Sequence, residues 1–432
     1  MREISSKFTR FNIAIFFISV SIIGLFSSRI LMSNGMIWFF GLLFVPGFLL
    51  KGSSDTELKN DSFLKRIEGF IKYKPFLAQL SLVFIASIGL FYTQDFNYAL
   101  KILFTYSPFL FMPIAFGAIN AFDKKQFILI LYIYCGVVFI SAIIILINYF
   151  IHFDAMNEGL LRGHAIQTPY KEHIRYSLML CFATCALIYM RIHNYFIWSQ
   201  KVEKQLQLLL SFLLIVFIHV LSVRSGILSL YMCLFVIGLY LLFYFKKYFV
   251  GLSVFLALII LPILSYYTIP SIHNKISYMI WDLNQLRSNN SKNYSDSERI
   301  VSILAGVKIA KENILFGVGT GDIKNAMNKI YDKDYAWIDP NNRKMPHNQW
   351  VWLWASNGVL GVVAFAFSII VSLVYKKNYK NLLLICFFII SISSFLYEHT
   401  LQVQVGVGFY ILCLLIILNY LRGKEIYDEN RI

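Results

Sequence analysis

SDSERIVSILAGVKIAKENILFGVGTGD, residues 295–322, and MPHNQWVWLWASNGVLGV, residues 345–362, bracket the one long polar segment late in this chain. Uninterrupted apolar runs precede and follow it, each near the ~20 residues that a helix needs to cross a bilayer. A polar insert held between such runs decides the fold as an all-α polytopic membrane protein, and it marks where chemistry is to be sought. Composition agrees. The 432 residues are 58% hydrophobic, 17% aromatic and 14% charged, against roughly 25% charged in soluble domains. The net charge of +16 comes from short basic clusters between apolar runs, which read as topology signals and not as a nucleic-acid patch. Cys135, Cys181, Cys185, Cys233, Cys386 and Cys413 all fall inside apolar runs, so they are expected to be packing residues without a metal or disulfide role. The first apolar run follows Arg2, Lys7 and Arg10 without a small-residue cleavage site and is expected to stay as an anchor.

Working outward, about twelve spans are expected, near 11–27, 36–50, 75–93, 102–122, 128–152, 176–192, 206–223, 226–245, 249–269, 349–375, 380–397 and 403–421. Lysine and arginine then fill alternate loops: Lys51 to Lys74, Lys124 and Lys125, Arg191 to Lys204, Lys246 and Lys247, Lys376 to Lys380, and the tail from Arg422. By the positive-inside rule both termini are cytoplasmic. Residues 94–101, 153–175, the turn at Arg224, the loop 270–348 and the turn at Glu398 and His399 face the other side. Residues 1–432 form a single integral membrane domain. Within the large loop, Ser288 to Ser297 reads as a flexible stretch. Ile300, Ile303, Leu304, Val307 and Ile309 predict an amphipathic surface helix over 298–313, and a second short helix is expected over 322–332.

Several polar residues sit where the bilayer makes them costly. Arg224, in SVRSG at a tight turn, is either a snorkelling helix-end arginine or a guanidinium fork gripping phosphate. Arg299 opens the surface helix; a salt bridge to Asp296 or Glu298 is the plain reading, and a partner to Arg224 on a diphosphate is the functional one. His347, followed by Trp350, Trp352 and Trp354, lies at the membrane border as a polar anchor or as a general base. Gly319 and Gly321 in GVGTGD could let backbone amides approach an anion, but no P-loop is present and a tight connection between two surface helices is the default reading. The loop LRGHAIQTPYKEHIRYS brings Arg162, His164, His173 and Arg175, groups suited to sugar or phosphate. Its two histidines lack the further ligand spacing of a closed zinc site.

Taken together, the spans, SVRSG at a turn, an arginine ahead of FGVGTGD, and PHNQW followed by NGVLG resemble the bacterial O-antigen ligase and O-antigen polymerase superfamily. That resemblance implies a fold similar to membrane-type (GT-C-like) glycosyltransferases in the inner (cytoplasmic) membrane. The implied reaction is periplasmic transfer of a glycan from undecaprenyl diphosphate to a hydroxyl of lipid A core or a related acceptor, metal-independent, inverting and without cofactor. It implies that Arg224 and Arg299 hold the diphosphate and that His347 activates the acceptor hydroxyl or orients the leaving group. Arg175, Arg162, His164, Gly319, Gly321 and Asn348 count as candidate substrate-binding residues. A polymerase acting on the same donor is the nearest alternative, and a polysaccharide transporter or flippase the more distant one. Against a transporter, polar residues gather in one loop, not in paired broken helices at mid-membrane.

Overall fold

A computed structural model describes residues 10–45, 63–287 and 295–429. Every regular element among them is a helix. Ten of these helices are long and apolar enough to cross a membrane, from Arg10–Ser27 to Gln404–Glu425. Two of the twelve expected spans are shorter: Leu382–Tyr397 has 16 residues and Arg29–Gly41 has 13. The second of these begins seven residues before the expected 36, because Ser28, directly after the first span, starts the next helix. Its backbone is extended at φ −155° and its side chain accepts from the Leu31 N–H, an N-cap that starts the return leg at once. Gly24 and Gly35 let the two legs close, since a Cβ on Gly35 would lie 2.5 Å from Ser21 Oγ. Residues 46–50 of the expected span, together with Lys51 and Lys59, fall outside the described residues.

His173–Ile192 and Gln404–Glu425 are the most enclosed spans, whereas Tyr248–Thr268 is the least enclosed. An apolar helix with so little protein around it suits contact with lipid tails, because hydrocarbon competes with protein on equal terms for such a surface. Around the enclosed helices, several polar side chains find partners inside the protein. Gln79 donates to Ser372 Oγ at 3.0 Å, and Asn419 Oδ1 accepts from the Phe122 N–H at 2.8 Å while its amide donates to Phe116 O at 3.0 Å. That is what a medium without water requires.

The segment between the spans ending at 268 and starting at 349 carries Pro270–Arg287, Ser295–Glu312 and Ile323–Asp334. The last two match the helices expected at 298–313 and 322–332. Most of the expected flexible stretch, 288–294, lies outside the described residues. Val301, Ala305, Ile309 and Ala310 turn the Ser295–Glu312 helix inward, leaving Ile300 and Leu304 exposed. Its end is fastened by an unexpected device. The Gln349–Val374 helix is interrupted at Gly358, with φ 67° and ψ −167°, and residues 314–319 dock against the gap. Val359 N donates to Ile314 O at 2.8 Å, Val318 N to Ala355 O at 3.0 Å and Gly319 N to Ser356 O at 2.9 Å. Only glycine tolerates these positions. A Cβ on Gly358 would meet Leu315 O at 2.0 Å, and one on Gly317 would meet the Ser356 carbonyl carbon at 2.4 Å. Asp322 completes the anchor, accepting from Gln94 N at 2.8 Å and Asp95 N at 2.9 Å.

Candidate active site

Arg224, Arg299 and His347 stand far apart in the chain and line one cavity of about 510 Å³. Each is put there by a local rule. The helix before Arg224 stops at Leu221, Ser222 takes the left-handed conformation at φ 51°, and extended Val223 caps the next helix. Arg224 is therefore its first residue. Arg299 and His347 are coupled through Ser302. Its hydroxyl donates to Arg299 O at 2.7 Å and accepts from the His347 backbone N–H at 3.2 Å. Asn348 then caps the following helix, its side chain accepting from Trp350 N and Val351 N and donating to Leu396 O at 3.2 Å. It fixes the backbone after His347 and is not among the residues that line the cavity.

Behind His347 lies a group that the sequence shows only as part of a plain turn. Glu398 is buried and its two oxygens are shared out: Oε2 faces His347 Nδ1 at 3.3 Å, and Oε1 faces His399 Nδ1 at 3.1 Å and Arg175 Nη2 at 3.6 Å. Burial by itself would raise the pKa of this carboxyl. The hydrogen bond from His347 and the charges of His399, His347 and Arg175 outweigh it and hold the group well below the usual carboxylate range. Glu398 is thus ionised at neutral pH. With Nδ1 of His347 turned to the carboxylate, Nε2 is the nitrogen free to exchange a proton. His399 packs edge-on to His347, with ring centroids 5.1 Å apart. Loss of water lowers its pKa to about 3, against partial support from Glu398.

The remaining candidates divide differently from expectation. Arg175 is buried and braces the 398–400 turn, pairing with Glu172 and Glu398 and donating to Thr400 O and His399 O. It braces the turn behind His347 and does not line the cavity. Arg162 pairs with Glu158 at 2.5 Å on the surface. Of the Leu160–Ala165 stretch, Leu160, Gly163 and Ala165 line the cavity, while His164 contributes its carbonyl to Lys275 at 3.0 Å. Gly319 and Gly321 spend their amides on Ser356 O and on Thr93 Oγ1, the latter at 3.0 Å. They anchor the segment and are absent from the cavity wall. Conversely, Lys275, Tyr278 and His173 line the cavity; of these only His173 was named as a candidate from the sequence, Lys275 and Tyr278 standing unremarked in the 270–348 loop. Among the described residues, no aspartate or glutamate lines it.

Two groups have the donor count for a metal ion: His347, Glu398 and His399, and the thiols of Cys185, Cys233 and Cys386, with ligand atoms within 4.8 Å of one another in each. In the first, the Arg175 guanidinium already sits on the carboxylate, so a dication would be repelled by it or would have to displace it. The three thiols come from three membrane helices and are fully buried, as packing residues are.

Residues 209–366 match the family model described as O-antigen ligase (Wzy_C), somewhat over a third of the chain. The matched stretch contains Arg224, Arg299, His347 and the helix interruption at Gly358, and it supports the O-antigen ligase superfamily. Glu398 and Arg175 lie beyond it. No curated protein matches the chain. The match and the many apolar helices together describe a multi-pass membrane protein with a glycosyltransferase-like domain.

Proposed function

We propose that this protein is an O-antigen ligase-type glycosyltransferase. It moves a glycan from undecaprenyl diphosphate to a hydroxyl of lipid A core, or of a related acceptor, at the periplasmic face of the inner membrane. The observation that carries this reading is the convergence of two arginines and a histidine on one cavity without a carboxylate in its described lining. Arg224 and Arg299 hold the diphosphate bidentately, as guanidinium forks do. His347 Nε2 takes the proton of the acceptor hydroxyl as its oxygen bonds to the anomeric carbon, and the sugar–phosphate bond breaks on the opposite face, so the configuration inverts. The charge that gathers on the departing diphosphate is met by the two arginines. Glu398 orients the imidazole and stabilises the imidazolium that forms.

Deletion of the gene in its own host, followed by sizing of the lipid-linked and surface glycans, tests the reading. Polymer stranded on undecaprenyl diphosphate above a bare lipid A core supports a ligase. Single repeat units on the surface lipid would make the enzyme a polymerase with the same donor chemistry, and no change in either pool would remove both. The proposed chemistry needs no metal: a chelator leaves the rate of purified enzyme unchanged, and a loss restored by a divalent cation would move attention to His347, Glu398 and His399.

A further inference from the structure

The cavity has a second polar wall that the reaction above does not use. His173 is the first residue of the His173–Ile192 helix, and with Ile174 it lines the cavity. The positive end of that helix dipole therefore abuts the same space, an arrangement that favours anions. Across the wall, Lys275 on Pro270–Arg287 is held in place by Gly163 O at 3.1 Å and His164 O at 3.0 Å. Tyr278, one turn on, packs so closely that a Cβ on Gly163 (φ 87°) would lie 2.6 Å from its ring. His173 is within electrostatic reach of Arg299 and Lys275, and also of Glu398 and Arg175 behind the wall. Among the described residues, no hydrogen bond or ion pair engages its ring, in contrast to His347, whose Nδ1 faces Glu398 at 3.3 Å. An imidazole that lines a cationic cavity without a protein partner is placed to meet a ligand.

We infer that His173 is a substrate contact, its ring N–H donating to a phosphate oxygen of the lipid-linked diphosphate beside Arg299 and Lys275. The inference rests on the donor proposed above. A neutral ring N–H gives a hydrogen bond to an ionised oxygen, stronger than one between neutral groups. It does so without adding a further full charge that would hold the spent diphosphate after transfer.

The test measures binding of undecaprenyl diphosphate to the purified full-length protein in nanodiscs, with phosphatidylglycerol as a competing anionic headgroup. His173→Ala is expected to weaken binding about tenfold or more, the range of one hydrogen bond to a charged group. His173→Gln, which keeps a neutral N–H donor, is expected to recover most of the affinity and to leave the pH profile of transfer unchanged. Unchanged affinity in His173→Ala overturns the inference while leaving the donor assignment standing. Competition by phosphatidylglycerol as effective as by the diphosphate also overturns it, making this wall a headgroup site. Failure of the wild-type protein to bind undecaprenyl diphosphate removes the donor assignment and the inference together.

Discussion

Glu398 faces two histidines and an arginine at once, so the charge around all three is set by one carboxylate. Glu398→Gln keeps the shape but removes the charge that sets the His347 tautomer. It is expected to lower the transfer rate by about 10²-fold or more, within the range for loss of a positioned base, with affinity for the lipid-linked donor retained. Single-turnover rates measured alongside donor binding check this, and a normal rate would leave His347 acting without it. A second expectation concerns pH. The folded-state pKa of His399, about 3, lies below its ordinary value near 6.5, so the unfolded chain takes up the proton first as pH falls. Its contribution to stability is complete above about pH 6.5 and declines from there towards pH 3, by at most about 1.4 kcal/mol per unit. Glu398, depressed in turn, contributes stability above the ordinary carboxylate range and loses it below. Thermal melts between pH 7 and 4 are expected to fall, less steeply in His399→Gln, and parallel slopes would contradict this. Arg224, Arg299 and His347 were legible in the sequence because each is a polar residue at the edge of an apolar run. Glu398 stood in the same setting, but its partnership with His347 arises only when two distant turns are brought face to face. Arg175 looked like a phosphate ligand for the same reason: sequence shows a cation at a helix start and cannot show the two carboxylates already around it.

At the level of elements, hydrophobic runs disclosed the long apolar helices but not the polar ones at Phe63–Lys72, Phe153–Leu161 and Pro270–Arg287, and the other misjudged pieces were those whose rule is local. The early return at Ser28 followed from one capping hydroxyl. The interruption at Gly358 was hidden because GVLG continues an apolar run, while its complement, FGVGTGD, invited a ligand-binding reading that the committed amides of Gly319 and Gly321 do not bear out in geometry. Gly358→Ala forces a Cβ into a conformation that costs about 1–3 kcal/mol for other residues and onto the Leu315 carbonyl. A clear fall in melting temperature and loss of transfer are expected. Gly136, mid-helix with nothing within 4 Å of where a Cβ would stand, is the contrasting case: Gly136→Ala should be neutral or stabilise by up to about 1 kcal/mol. Equal effects of the two substitutions would deny the docking any special weight.

For the molecule as a whole, the alternation of basic loops is a statement about orientation that single-cysteine labelling can check. The native cysteines are all buried, so a new thiol reports its own surroundings. Lys333→Cys, in the 270–348 segment, is expected to react with an impermeant maleimide added to intact spheroplasts, and Lys125→Cys only after permeabilisation. The reverse pattern would invert the topology and place the cavity on the cytoplasmic side. Long, strongly apolar spans make such an architecture readable from sequence, since bilayer thickness and charge bias act on each run separately. The cavity is not readable that way, being a product of how the spans and the 270–348 segment assemble.

The seam between residues 314–319 and the interrupted helix also limits how modular the protein can be. Each side completes hydrogen bonds that the other leaves open, so neither is a self-contained cassette. A chimera made by exchanging the polar segment with that of a related protein would inherit one half of a lock. Functional transplants should therefore carry 314–322 and 355–359 from the same parent, with the 93–95 turn that receives Gly321 and Asp322, and crossovers placed inside that set should fail whichever sugar the donor carries.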